Sequence, residues 1–280
     1  MRNTNKTPLL KVFRSKVNVK NNTSPEHHHT ALEVTVILSG KGTYATRERE
    51  YSFQKNDVFF YSTDELHQIK EVVCDAEFIN LHFEPRYLWS ESLGIASKEL
   101  TKTFLNPPKT SDNKIPHNTY AADTIRELLF KTEQEISEQK PEFETMLTVY
   151  LVNILIEILR CRGDKLHSSD ISANSHTLKA MENALNYIDT HLDSELSLKT
   201  LADTAHMSKT YFCSKFKQLN GISPWDYITI KRIEKAIYYI ESTNMTRLEI
   251  ALKCGYNNTS NFYYAFKKIT GKSPGDYAIS

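Results

Sequence analysis

Near the start of the chain stand His27, His28, His29 and Glu33, with His67 following after a further pair of apolar runs. His27, His29 and Glu33 are separated by even offsets, so on an extended strand they share one face. Imidazole nitrogens and a carboxylate on one face can hold Fe(II), Mn, Zn or Ni, or can hydrogen-bond a small polar molecule. The same residues can also be structural, half exposed at the mouth of a sheet. Tyr44 offers a ring that either stacks on a ligand or fills a core. No nucleophile–base set and no phosphate-cradling glycine loop accompanies these groups, so neither catalysis nor a cofactor is expected.

A second set lies in a repeat. Tyr211–Tyr227 (YFCSKFKQLNGISPWDY) and Asn261–Tyr277 (NFYYAFKKITGKSPGDY) share Phe212/Phe262, Phe216/Phe266, Lys217/Lys267, Gly221/Gly271, Ser223/Ser273, Pro224/Pro274, Asp226/Asp276 and Tyr227/Tyr277. A fixed-offset repeat dictates architecture before any single residue does. In each copy a serine or threonine caps a short helix, a tight turn follows, and a second helix ends at glycine. The second helix buries its phenylalanines. Its outer face carries Lys209, Thr210, Cys213, Ser214 and Lys217 in the first copy, and Asn258, Thr259, Ser260, Tyr263, Tyr264 and Lys267 in the second. Such helix-turn-helix units fit the major groove of double-stranded DNA, where base pairs differ in donors and acceptors. Lysines anchor phosphates, and the polar side chains between them read bases.

The elements that must position these groups change along the chain. Up to Phe83, short β-branched and aromatic runs alternate with turn signals such as Ser39-Gly40-Lys41-Gly42 and Lys55-Asn56-Asp57, predicting a small barrel or sandwich. Glu84–His117 reads mostly as loop. From Thr119 the period becomes helical, and Phe143–Leu159 is apolar around much of its girth, which predicts burial against the strands and against a second subunit. Arg160–His176 is polar and reads as a linker. Trp225–Ser242 reads as one helix joining the two heads. Residues 177–280 carry 13 Lys and Arg against 10 Asp and Glu, in a chain whose net charge is +1. The four cysteines are scattered, and no apolar run reaches membrane-spanning length, so a cytoplasmic protein with reduced thiols and no membrane partner is expected.

The block Phe-x3-Phe-Lys-x3-Gly-x-Ser-Pro-x-Asp-Tyr, followed by Arg232-x3-Ala236, Ile250-Ala251-x3-Gly255-Tyr256 and the second copy, resembles the AraC/XylS transcription regulators. His-x-His-x3-Glu-x6-Gly, ending at Gly40, resembles the cupin barrel, although Ser62 and Asp64 replace the proline and glycine of its second motif. The resemblance implies an α+β chain in three parts. Residues 1–160 would form a cupin-like β-barrel sensor with a helical dimerisation segment, 161–176 a linker, and 177–280 an all-α domain with two helix-turn-helix units. It further implies a regulator, an activator in the main reading, that works as a homodimer beside RNA polymerase. A small-molecule effector, a sugar or related metabolite, would bind near His27, His29, Glu33, His67 and Tyr44 and shift an N-terminal arm at Leu9–Lys20. In relatives the first head makes the stronger base contacts. Two rivals are a ligand-independent regulator whose barrel only dimerises, and a metal-dependent cupin enzyme using His27, His29, Glu33 and His67.

Overall fold

The computed structural model describes residues 9–21, 23, 24, 27–63, 65–89, 104, 105, 112–162 and 175–277. Six strands, β1 (Leu10–Val17), β2 (Leu32–Thr46), β3 (Glu50–Gln54), β4 (Val58–Tyr61), β5 (His67–Phe83) and β6 (Lys114–Ile115), form one antiparallel sheet. Their order is β1-β5-β2-β4-β6, with β3 paired to the second half of β2. Alternation along the strands divides the side chains between two faces. Val34, Val36, Val58, Phe60, Ile79 and Leu81 face the helices α2 (Tyr120–Glu138) and α3 (Phe143–Arg162). Ile37, Phe59, Tyr61 and Phe78 face the other way and pack with Tyr44, Phe53, Ile69 and Val72.

Three readings of this half change. Ser39-Gly40-Lys41-Gly42 is not a turn: β2 runs through it with a shifted register against β5, and Gly40 sits at φ 95°. A Cβ there would lie 2.5 Å from the Ala76 backbone, so the bulge that bends the strand needs glycine. Leu10–Val17, expected within a movable arm, is an edge strand paired residue by residue with Ala76–Phe83. The loop expected over Glu84–His117 contains a one-turn helix, α1 (Arg86–Trp89).

α3 buries Leu147, Leu151, Ile154, Leu155, Ile158 and Leu159 within the chain, against α2 and the sheet. Its outer stripe keeps Val149 exposed and Val152 and Ile156 half buried. Of the expected linker, residues 163–174 lie outside the described ones.

The C-terminal half is helical: α4 (Ser175–Thr190), α5 (Leu198–Thr204), α6 (Lys209–Asn220), α7 (Pro224–Ser242), α8 (Arg247–Lys253), α9 (Thr259–Thr270) and α10 (Pro274–Tyr277). The α+β architecture is therefore the expected one, a sheet domain followed by a helical domain. Its core joins Met181, Ala184, Leu185 and Ile188 of α4 to Leu201, Phe212, Phe216, Ile233, Ile250, Phe262 and Phe266. One member, Trp89, comes from the sheet domain.

Candidate DNA interface and sensor site

The two heads are built alike. Ser208 caps α6 by accepting the Tyr211 N–H, and Gly221 ends it at φ 80°. Asn258 caps α9 by accepting the Asn261 N–H at 2.8 Å, and Gly271 ends it at φ 72°. Thr246 and Glu249 form the expected capping box at the start of α8. α7 begins with Ser223 as cap and Pro224 in its first turn, and carries the chain from one head to the other. Phe212, Phe216 and Leu219, and Phe262, Phe266 and Ile269, point into the core.

The outer faces hold no acidic residue on either α6 or α9. Lys209, Thr210, Ser214 and Lys217 are exposed on the first, and Ser260, Tyr263, Tyr264 and Lys267 on the second. Cys213 is half buried against the core and Thr259 is half buried. The Asn258 side chain is committed to its cap. Tyr211, which the spacing did not single out, is exposed beside Thr210. Arg232 has a structural position: its guanidinium donates to the carbonyls of Leu192 at 2.9 Å and Ser194 at 2.8 Å, fastening the end of α4 to α7.

In the sheet domain, Glu33 is the hub of a buried polar cluster. Its Oε2 lies 2.8 Å from His29 Nε2, 2.9 Å from His82 Nε2 and 3.3 Å from His67 Nε2. Its Oε1 accepts from the Thr35 hydroxyl at 2.6 Å, which also lies 2.8 Å from Asn80 Oδ1. A register pair brings His82 of β5 opposite Glu33 of β2. Sequence spacing missed His82, because only strand pairing brings it across. His27 is half buried at the edge, and its ring stands 4.5 Å from that of His67. Ligand atoms of His27, His29, Glu33 and His67 all lie within 4.8 Å of one another.

Burial alone would push the Glu33 carboxyl up, but the surrounding imidazoles hold it well below the usual range, so it is a carboxylate. Burial and the neighbouring His29 push His82 down to about 4. Burial also works against a charged His67, yet Glu33 and the Glu65 carbonyl outweigh it and raise that group. Tyr61 stacks on His67 at 4.1 Å, the rings nearly parallel. Tyr44 is not at the cluster's open edge. It is buried among Phe53, Phe59, Tyr61 and Phe78.

The AraC-like ligand binding domain matches residues 10–139, and a helix-turn-helix domain matches residues 201–279. The chain belongs to the AraC family of transcriptional regulators. An uncharacterized HTH-type transcriptional regulator of Bacillus subtilis, YdeC, is 24% identical over 260 residues, covering 90% of this chain and 85% of its own. The HTH-type transcriptional activator RhaR of Shigella flexneri is 20% identical over 260 residues, covering 90% and 86%. ToxT from Vibrio cholerae shares the fold at 12% identity, with a TM-score of 0.60 over 97% of this chain and 98% of that one. The protein is thus a DNA-binding transcriptional regulator with a ligand-binding domain, and not an enzyme. No helix among the described residues is long and apolar enough to cross a membrane.

In this AraC-family chain the two domains are clasped together immediately beyond β5. Glu84, buried, pairs with Arg86 Nε at 2.7 Å and accepts from Lys231 Nζ and, at 3.3 Å, from the Tyr227 hydroxyl, both on α7. Arg86 reaches on to Asp189 of α4 at 2.7 Å. Trp89 donates its indole N–H to the Leu219 carbonyl, in the last turn of α6, at 2.9 Å. Burial opposes the Lys231 charge, but Glu234 and Glu84 raise it well above the usual lysine range, so the lysine is charged. Sequence spacing gave no hint of this contact, since its partners stand more than a hundred residues apart across the seam.

Proposed function

We propose that the chain is a cytoplasmic, sequence-specific transcriptional activator whose hold on DNA responds to a small effector in the sheet domain. It would act as a homodimer beside RNA polymerase. One observation carries this reading. The strand that supplies His82 to the buried cluster continues within two residues into Glu84, which is locked to the helix joining the DNA-reading heads. An effector that favours one placement of β5 would therefore favour one placement of the heads. It must bind that arrangement better than the other, or it shifts nothing.

The outer stripe of α3, with Val149, Val152 and Ile156, supports dimerisation, which would tie two modest DNA contacts into one through effective concentration. Activation is carried over from the naming of RhaR as an activator. A sugar is the less suitable effector. Of the rings it would stack on, Tyr44 and Tyr61 are spent in the packed aromatic interior, and only Phe13 is exposed, edge-on to His82 at 4.8 Å. A small charged ligand suits the carboxylate–imidazole hub better.

The test is binding of the full-length protein to promoter fragments at rising salt, with and without candidate effectors. Affinity should fall steeply with salt, as for any phosphate-anchored reader. Absence of salt-sensitive affinity for every fragment would sink the reading. Binding indifferent to every effector would favour a regulator whose sheet domain only dimerises.

A further inference from the structure

We propose that Arg232 is a positioning residue: it fixes the angle between the two DNA-reading heads, and thereby the number of base pairs between the segments they read. That role rests on the reading above, in which the chain binds DNA sequence-specifically, with both heads on one site.

α7 is common to the two heads. α6 packs on α5 and α7, while α8 and α9 pack on each other and on α7. A helix of 19 residues is a rod about 28 Å long, so it sets the distance between the heads. Apolar packing against such a rod is non-directional, so directional contacts are needed to set the roll of one head about it.

Those contacts meet at Arg232. Its Nε donates to the Leu192 carbonyl at 2.9 Å and its Nη2 to the Ser194 carbonyl at 2.8 Å, both in the segment that leads from α4 into the first head. The guanidinium carbon also lies 5.5 Å from the centre of the Tyr256 ring, in the turn of the second head. That ring stands 5.5 Å from Phe262, buried near the start of the second reading helix. One side chain therefore touches both heads. The backbone closes the same joint. Gly255 sits at φ 78°, and an added Cβ there would lie 2.3 Å from the Leu192 carbonyl oxygen and 2.7 Å from Arg232 Nη2.

Arginine suits this place because its planar fork donates in fixed directions while its face lies on an aromatic ring. A lysine, a point charge on a flexible stem, lacks that fork. The neighbouring Lys231 reaches Glu84 of the sheet domain instead, so the contact between the heads can be removed without deleting the clasp.

DNA converts an angle into a spacing. Each inserted base pair moves the next segment by about 3.4 Å and turns it by about 34°. A second head held at one angle has a high effective concentration at one spacing only. A loosened head gives up affinity there and gains tolerance elsewhere.

The test begins with a duplex that the full-length protein selects from a randomised pool, footprinted with hydroxyl radicals to locate the segment under each head. One, two or three base pairs are then inserted between those segments, and affinities are compared by fluorescence anisotropy. The wild type should lose about tenfold or more when two base pairs are added. Arg232→Ala should lose about threefold on the original duplex and no more than about twofold further on insertion. Arg232→Lys and Tyr256→Leu should show the same tolerance. Tyr256→Phe keeps the ring and removes only a buried hydroxyl with no hydrogen-bond partner among the described residues, so it should behave as the wild type.

A residue that merely stabilised the fold would lower affinity by one factor on every duplex, and that uniform loss would overturn the proposal. Should Arg232→Ala not fold, Arg232→Lys and Tyr256→Leu decide by the same ratio. Wild-type affinity indifferent to insertion would overturn it with no variant at all, as would a footprint under one head alone. If the protein selects no duplex, the regulator reading itself falls, and the spacing role with it.

Discussion

Glu84, just past the end of β5, and Lys231, in the middle of the helix between the two heads, form a buried ion pair that spans the two domains. Each has a second opposite charge, Arg86 beside the glutamate and Glu234 beside the lysine. Breaking a buried pair by removing one partner costs about 3–5 kcal/mol, because the other charge stays buried. In Glu84→Ala the domains should part more readily. Hydrogen exchange of α7 should speed up, and any effector response should be lost while DNA binding persists. A melting curve and exchange pattern like the wild type's would show that the pair contributes nothing across the seam.

The exposed lysines should act without regard to sequence. Lys217→Ala or Lys267→Ala should weaken binding to all DNA about equally and flatten the slope of log affinity against log salt by about one unit. Fluorescence anisotropy at several salt concentrations measures this. A loss confined to one operator would move that lysine from phosphate anchoring to base reading.

Thr210 and Ser214 are exposed on α6 between Lys209 and Lys217. Thr210→Ala or Ser214→Ala should relax base preference by about 1–3 kcal/mol at one position while leaving the salt slope unchanged. Selection of binding sites from a randomised pool would show this. An unaltered preferred site would exclude that residue from readout. Cys213→Ala should matter less, since its side chain is half turned into the core.

Gly221 ends α6 in the left-handed region at φ 80°, where an added Cβ would also come 3.0 Å from Thr63 Oγ1 of the sheet domain. Gly221→Ala should therefore cost about 1–2 kcal/mol from its backbone alone. Part of any further cost should vanish in the double variant with Thr63→Ala. Thermal unfolding of the four proteins measures that coupling, and strict additivity would place the strain wholly in the helix cap.

The helical half was legible because its signals are local. Ser208, Gly221, Ser223-Pro224, Thr246 with Glu249 and Gly271 each fix a helix end within a few residues, and each is found doing so. Asn258 was singled out as a DNA contact, and its side chain also caps α9. The sheet was half legible. The offsets of His27, His29 and Glu33 announced a shared face, but His82 joins it only through the register of β2 with β5. Ser39-Gly40-Lys41-Gly42 misled because glycine serves a bulge as well as a turn. Arg86 and Trp89 lay in a stretch with no periodicity at all. Their meaning comes from Asp189 and Leu219, more than a hundred residues away.

The chain has two tryptophans, and the fold treats them oppositely. Trp89 is sealed at 2% exposure inside the seam, while Trp225 stands 43% exposed at the start of α7. The molecule thus carries its own optical gauge. In a Trp225→Phe protein, emission comes from the seam alone. A shift to longer wavelength would mark the moment when the two halves let go, with no label attached and no DNA present.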